Sequence, residues 1–180
     1  MIIYTQKLDE KASLKDLDMS KCEEVALTFD DRKRGRLKFK TLSGIDAGIQ
    51  IERGQVMRHN SILVSDNGDV LKVTAAPEVV SSAYIKDATL FARACYHLGN
   101  RHVSLQVGVG FLRFQKDYVL DDMLHGLGVH VVHEEAEFEP ENGAYAKGSA
   151  HSHDHAHSHD QDDSHSHDHS PEHEHKHEHA

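Results

Sequence analysis

The sequence predicts an α+β chain: an N-terminal β-sandwich or barrel-like domain (residues 1–75), a ferredoxin-like βαββαβ domain (76–146) and a disordered His-rich tail (147–180). Three observations carry this reading. Short apolar runs separated by glycine fill the first part, as in small β domains. The apolar period then changes from 2 to 3.6 in two segments, which marks helices among strands. From Lys147 onward no large apolar residue occurs, so that segment cannot bury enough surface to offset the entropy of ordering itself.

In the first part, residues 2–4, 24–29, 37–42 and 45–51 read as strands. Arg36-Leu-Lys-Phe-Lys-Thr-Leu42 alternates polar and apolar, as a strand with one buried face does. Gly35, Gly44, Gly48 and Gly54 punctuate the runs. Two further runs, 62–64 and 70–73, flank Asn67-Gly68. That dipeptide predicts a type I′ hairpin turn, whose two central residues both need positive φ.

The second part opens with a strand over 78–85. Asp87 then caps a helix running to Leu98, with Phe91, Ala94, Cys95 and Leu98 at i, i+3, i+4 and i+7 on one face. Gly99 and Asn100 suit a left-handed C-terminal cap. Residues 102–107 and 110–114 read as strands. Asp117 caps a second helix that buries Leu120, Met123, Leu124 and Leu127 and ends at Gly128. A strand over 129–132 closes the split βαβ pattern.

Charge and cysteine use narrow the function. The chain carries a net −10; Lys147 and Lys176 stand against eight tail carboxylates, so −6 of this lies in the tail. An acidic balance argues against nucleic acid as partner, because duplex binding rests on basic contacts to phosphate. Cys22 and Cys95 are the only cysteines and form no CxxC, which excludes a disulfide framework or a Cys-based zinc site and suits a cytoplasmic setting. No signal peptide and no apolar stretch near 18 residues is present, so no membrane attachment is expected.

The tail supplies the chemistry. Histidine recurs at every second position: His151, His153, His155, His157 and His159, then His165, His167 and His169, then His173, His175, His177 and His179. These are twelve of the eighteen histidines in the chain. Neutral imidazole ligates nickel, copper and zinc well, and a flexible chain can wrap several imidazoles around one ion. The interleaved carboxylates add hard donors and distinguish the segment from an uninterrupted purification tag. Having no fixed geometry, the tail cannot select its metal, and the usual affinity order would favour copper over nickel.

In the body, Ala94-Cys-Tyr-His-Leu-Gly-Asn-Arg-His102 places His97 in the last turn of the first helix and His102 at the start of the next strand. Taken alone, each reads as a structural histidine, and His97 is favoured there by the helix dipole. Asp117, Asp121 and His125 line one face of the second helix, with Asp122 and His125 one turn apart; that face reads as solvated. His130 and His133 fall on opposite strand faces and cannot share an ion, and His59 reads as a turn residue. Arg32, Lys33, Arg34, Arg36, Lys38 and Lys40 form a basic cluster. It reads as a surface turn and strand edge, where lysines discourage aberrant pairing, or as a dock for an acidic partner.

The run from Ala94 to His102, followed by Leu105-Gln106, resembles the UreE family of urease accessory proteins. So do Val119-Leu-Asp-Asp-Met-Leu124, Phe138-Glu-Pro140, Gly143-Ala-Tyr-Ala146 and the His-rich tail. Leu27-Thr28, residues 32–37 and Arg53-Gly54 extend the resemblance over essentially the whole chain. It implies a homodimeric nickel metallochaperone, not an enzyme, that delivers Ni2+ for urease metallocentre assembly. Zinc or copper would compete. It further implies that His102 pairs with its twin across the dimer interface, with His151 or His153 the nearest tail histidines able to complete the shell. The implied partners are the accessory GTPase UreG and the urease pre-activation complex. One departure stands out: some relatives carry extra histidines where this chain has Leu112-Arg-Phe-Gln-Lys-Asp-Tyr118, which has none. Arg58-His-Asn60 also departs, where acidic residues or glycine are commoner.

Two other functions compete. A passive nickel or zinc store would use the tail equally well but needs no shared His102 site. A metal-dependent hydrolase wants about three fixed ligands, an open position and a general base, and no HExxH or comparable cluster appears in the body. The absence of GxxxxGK[ST] removes nucleotide hydrolysis.

Overall fold

Two sheets carry the body of the chain. The computed structural model describes residues 1–8 and 17–142; the His-rich tail, with every candidate ligand in it, lies outside the described residues. The first sheet contains β1 (Ile2–Lys7), β2 (Glu23–Leu27), β3 (Arg36–Lys40), β4 (Asp46–Gln50), β5 (Ser61–Ser65) and β6 (Val70–Ala75), in the order β2-β6-β5-β1-β4-β3. It is mixed: β1 runs parallel to β4 and β2 parallel to β6. The amide of Leu42, just beyond β3, donates to the Glu24 carbonyl of β2 at 2.8 Å, so the two edges curl toward each other as in a barrel. The enclosed core is Tyr4, Leu63, Leu71, Val73 and Met57, all without solvent exposure, with Val25, Ile49 and neighbours around them.

Two details of this part differ from expectation. The β5–β6 hairpin forms, but its turn is not type I′. Gly68 alone has positive φ (85°), and its amide donates to Ser65. The Ser65 hydroxyl accepts from the amides of Asn67 and Asp69 and donates to the Asp69 carboxylate at 2.7 Å. A serine that bonds local backbone sets a wider loop than Asn-Gly would alone. The strand expected over 24–29 also stops early. Thr28 caps a single-turn helix, α1 (Phe29–Arg32), by accepting from the Asp31 amide, with Asp30 and Asp31 at the positive end of the helix.

The second sheet follows directly. Its elements are β7 (Pro77–Tyr84), α2 (Ala88–Gly99), β8 (Leu105–Gly108), β9 (Phe111–Gln115), α3 (Tyr118–Gly126) and β10 (Val132–Glu137), and the sheet order is β10-β7-β9-β8, antiparallel throughout. Asp87 caps α2 by accepting from Leu90, and Asp117 caps α3 by accepting from Val119 and Leu120. Both helices bury the expected stripe: Ala94 and Leu98 from α2, Leu120 and Leu124 from α3, against Ala83, Leu112 and Phe114 of the sheet. Helix α3 ends in a Schellman motif: Gly128 (φ 83°) donates to His125, and Val129 donates to Leu124 while packing into the same core.

The last strand begins at Val132, where it was expected to end. Val129 and Val131 are buried but lie before the strand. The strand itself, His133-Glu-Glu-Ala-Glu137 after Val132, is an edge paired only with β7. Its acidic residues have low strand propensity, which hides it from a reading by composition.

The two parts are joined by a small apolar cluster and one buried cation. Phe29 packs edge-on to Phe138 (5.4 Å, 81°), with Val80 beside them. Arg32, placed at the surface in the sequence reading, is fully buried. Its guanidinium donates to the carbonyls of Leu27 (3.2 Å), Met57 (3.3 Å) and Phe138 (2.5 Å) and to the Glu139 carboxylate. Arg58 donates to the Pro140 carbonyl and the Asn142 side chain. Residues 138–142 are thus strapped across the junction. No helix among the described residues is long and apolar enough to cross a membrane.

Candidate metal centre

Helix α2 ends at Gly99, but neither Gly99 nor Asn100 takes the expected left-handed conformation. Asn100 stays right-handed (φ −66°) and donates to Tyr96; Arg101 and His102 then donate to Leu98 and Gly99 through two tighter turns. The chain reverses at His102 itself, whose φ is 54°. Val103 thereby turns back onto the second core. Where α3 uses glycine for the left-handed residue, α2 uses histidine. An L side chain in that conformation costs about 1–2 kcal/mol relative to the right-handed one, although histidine is among the side chains found there more often.

The reversal leaves His102 exposed, in a turn rather than in the expected strand, which starts three residues later at Leu105. No side-chain hydrogen bond engages its imidazole among the described residues, so both ring nitrogens are available. Tyr96, on the last turn of α2, is 66% exposed. His97 is half-buried with its ring edge-on to Tyr96 at 5.4 Å, which fits a packing role. Cys95 is half-buried, and desolvation holds its thiol above its usual range, so it is a poor thiolate donor at neutral pH.

Among the described residues no three His, Cys, Asp or Glu side chains are grouped to hold an ion. An ion at His102 therefore requires donors from outside this set. The end of the described chain lies close by. The Glu141 amide donates to the Leu105 carbonyl at 2.8 Å, three residues from His102, and the Glu139 amide donates to the Gln106 side chain.

The remaining histidines are distributed as follows. His125 and His130 are exposed. His59 accepts the Ala75 amide through Nδ1 at 3.3 Å and is a structural link at the end of β6. Asp121, expected on a solvated face, is only 4% exposed and meets His133 Nε2 at 2.7 Å. No periodicity rule could find this pair, because it joins a helix to an edge strand that the sequence reading misplaced. Of the basic cluster, Arg32 is internal, while Arg34 and Arg36, together with Arg53, line an open cleft of about 610 Å³ on the first sheet. Lys33, Arg34 and Lys40 are paired with Asp30, Asp31 and Asp46.

Comparison with known proteins assigns a relationship to this geometry. Residues 4–76 match the N-terminal domain and residues 69–179 the C-terminal domain of the UreE urease accessory protein. A urease accessory protein UreE from Vibrio parahaemolyticus is 44% identical over 154 residues, 84% of this chain and 97% of the relative. Its counterpart from Shewanella halifaxensis is 48% identical over 145 residues, 81% of this chain and 80% of the relative. That from Proteus mirabilis is 44% identical over 143 residues, 79% and 89% of the two chains.

Proposed function

Because the chain belongs to the UreE family, and so is an accessory protein in urease maturation rather than an enzyme, we propose that it carries nickel as cargo to the urease metallocentre. The observation that supports this most is His102: an exposed imidazole without partners among the described residues, held in a conformation that glycine adopts most easily. Backbone strain kept at one exposed histidine points to a task for that side chain.

In this reading the protein is a homodimer, with His102 of each protomer contributing to one shared ion. Exposed Tyr96, on the last turn of α2, suits an interface. A tail histidine, His151 or His153, completes the shell. From Asn142 to His151 is nine residues, a contour of roughly 30 Å at most, and the strap that holds Glu141 against Leu105 starts that path near His102. The other tail histidines gather further ions loosely. Imidazole and carboxylate donors admit zinc and copper as competitors. The second sheet's order and its β-α-β-β-α-β succession support reading it as a ferredoxin-like unit, with domains proposed at 1–75 and 76–146. Transfer would run through UreG and the urease pre-activation complex in the cytoplasm.

The test is a chain ended after Ala146. It should remain folded, retain one tight nickel ion per dimer and lose most of the remaining, weaker capacity. One tight, independent ion per monomer, or no tight ion at all, would contradict the shared site.

A further inference from the structure

We infer that His133, oriented by the buried carboxylate of Asp121, forms with Glu135 a second point of attachment for a divalent transition-metal ion, on β10. Asp121 Oδ2 lies 2.7 Å from His133 Nε2, while Asp121 Oδ1 is buried and has no hydrogen-bond partner among the described residues. Ser81, directly opposite His133 in the β7–β10 ladder, also has a buried hydroxyl without a partner among the described residues. A carboxylate buried among so few donors depends on the proton of His133 Nε2. That bond fixes the tautomer and leaves Nδ1 as the lone-pair nitrogen, which is how a second carboxylate prepares a histidine for a metal.

The ring is accessible as well as oriented. The His133 side chain is 39% exposed, its Nδ1 has no hydrogen-bond partner among the described residues, and Tyr118 braces the ring edge-on at 6.3 Å. Glu135 is exposed two residues further along the same face of the strand. Residues i and i+2 of a strand stand roughly 6.6 Å apart, close enough for an imidazole and a carboxylate to reach one ion at about 2.0–2.2 Å each. One nitrogen and one oxygen donor suit nickel, zinc or copper rather than calcium or magnesium. Two protein donors leave the other positions to water or an incoming ligand, as befits a loose site. It is separate from His102: β10 and β8 are opposite edges of the sheet, three strand spacings or about 14 Å apart.

The site stands on its own geometry and would persist if His102 proved not to bind metal. The test uses the full chain with 15N-labelled histidine rings and zinc as a diamagnetic probe, His133 being assigned from the signal lost in His133→Gln. Before zinc, His133 should show the Nε2–H tautomer. With zinc, its Nδ1 signal should move at a concentration that Asp121→Asn raises 10–100-fold. Glu135→Gln, an exposed substitution that leaves the core untouched, should raise it several-fold. A His133 ring that stays unchanged when the tail and His102 signals are saturated would overturn the proposal. Binding unaffected by both Asp121→Asn and Glu135→Gln would overturn it equally.

Discussion

At the scale of single residues, His102 separates backbone cost from chemical role. Replacing it with glycine relieves the left-handed conformation, and replacing it with alanine does not. His102→Gly is therefore expected to be about 1 kcal/mol more stable than His102→Ala in urea unfolding, with both variants losing the shared ion. Equal stability of the two would mean that the turn tolerates any side chain. The motif around this histidine was legible in the sequence, but its conformation was not. Gly99 and Asn100 looked the better left-handed candidates, and only the two tight turns after Leu98 carry the reversal on to position 102. Asp121 was misjudged for a related reason. Helical spacing assigns it a face, but whether β10 covers that face depends on a strand which begins three residues later than expected.

At the scale of elements, the strap at residues 138–142 depends on two arginines. Removing the Arg32 side chain would leave the Phe138 and Leu27 carbonyls without this donor inside the junction, and Glu139 with the His59 amide and the more distant Arg58. Loss of one partner of a buried pair costs about 3–5 kcal/mol, so Arg32→Ala should lower the denaturant midpoint far more than Arg36→Ala, which removes an exposed side chain. Similar midpoints would show that the bolt is dispensable. Glu134 couples β10 to its neighbours: hydrogen bonds from Ser82 and Tyr84, then the Arg113 guanidinium, hold its carboxyl below the usual carboxylate range. A carboxyl depressed in the folded state stabilises above its unfolded pKa, and the contribution is lost as pH falls through the folded value. Stability should thus decline below about pH 4.5, and less steeply in Glu134→Gln; identical slopes would remove Glu134 from the account. Both long helices were legible because their caps and 3.6-residue stripes agree. Arg32 was not, because six cations close together in sequence look alike until a fold buries one of them.

At the scale of the whole molecule, acidity and histidine are concentrated in the last fifth of the chain, where −6 of the net −10 resides. An exposed histidine titrates near pH ~6.5 and binds metal only when neutral. Nickel capacity should therefore fall steeply between about pH 7.5 and about pH 5.5, as protonation moves the tail from −6 toward +6. Equal capacity at both ends of that range, by isothermal titration, would refute imidazole as the tail's ligand. The tail's composition announces a metal; the shared site at His102 is the more specific claim. Nickel titration of the full chain with the mass of each species measured under native conditions tests it most directly. The account expects the first ion to appear in a dimer as one nickel per two chains, and expects His102→Ala to lose that first tight ion while keeping most of the later, weaker ones. A His102→Ala protein that binds its first nickel as tightly, in the same species, would contradict it.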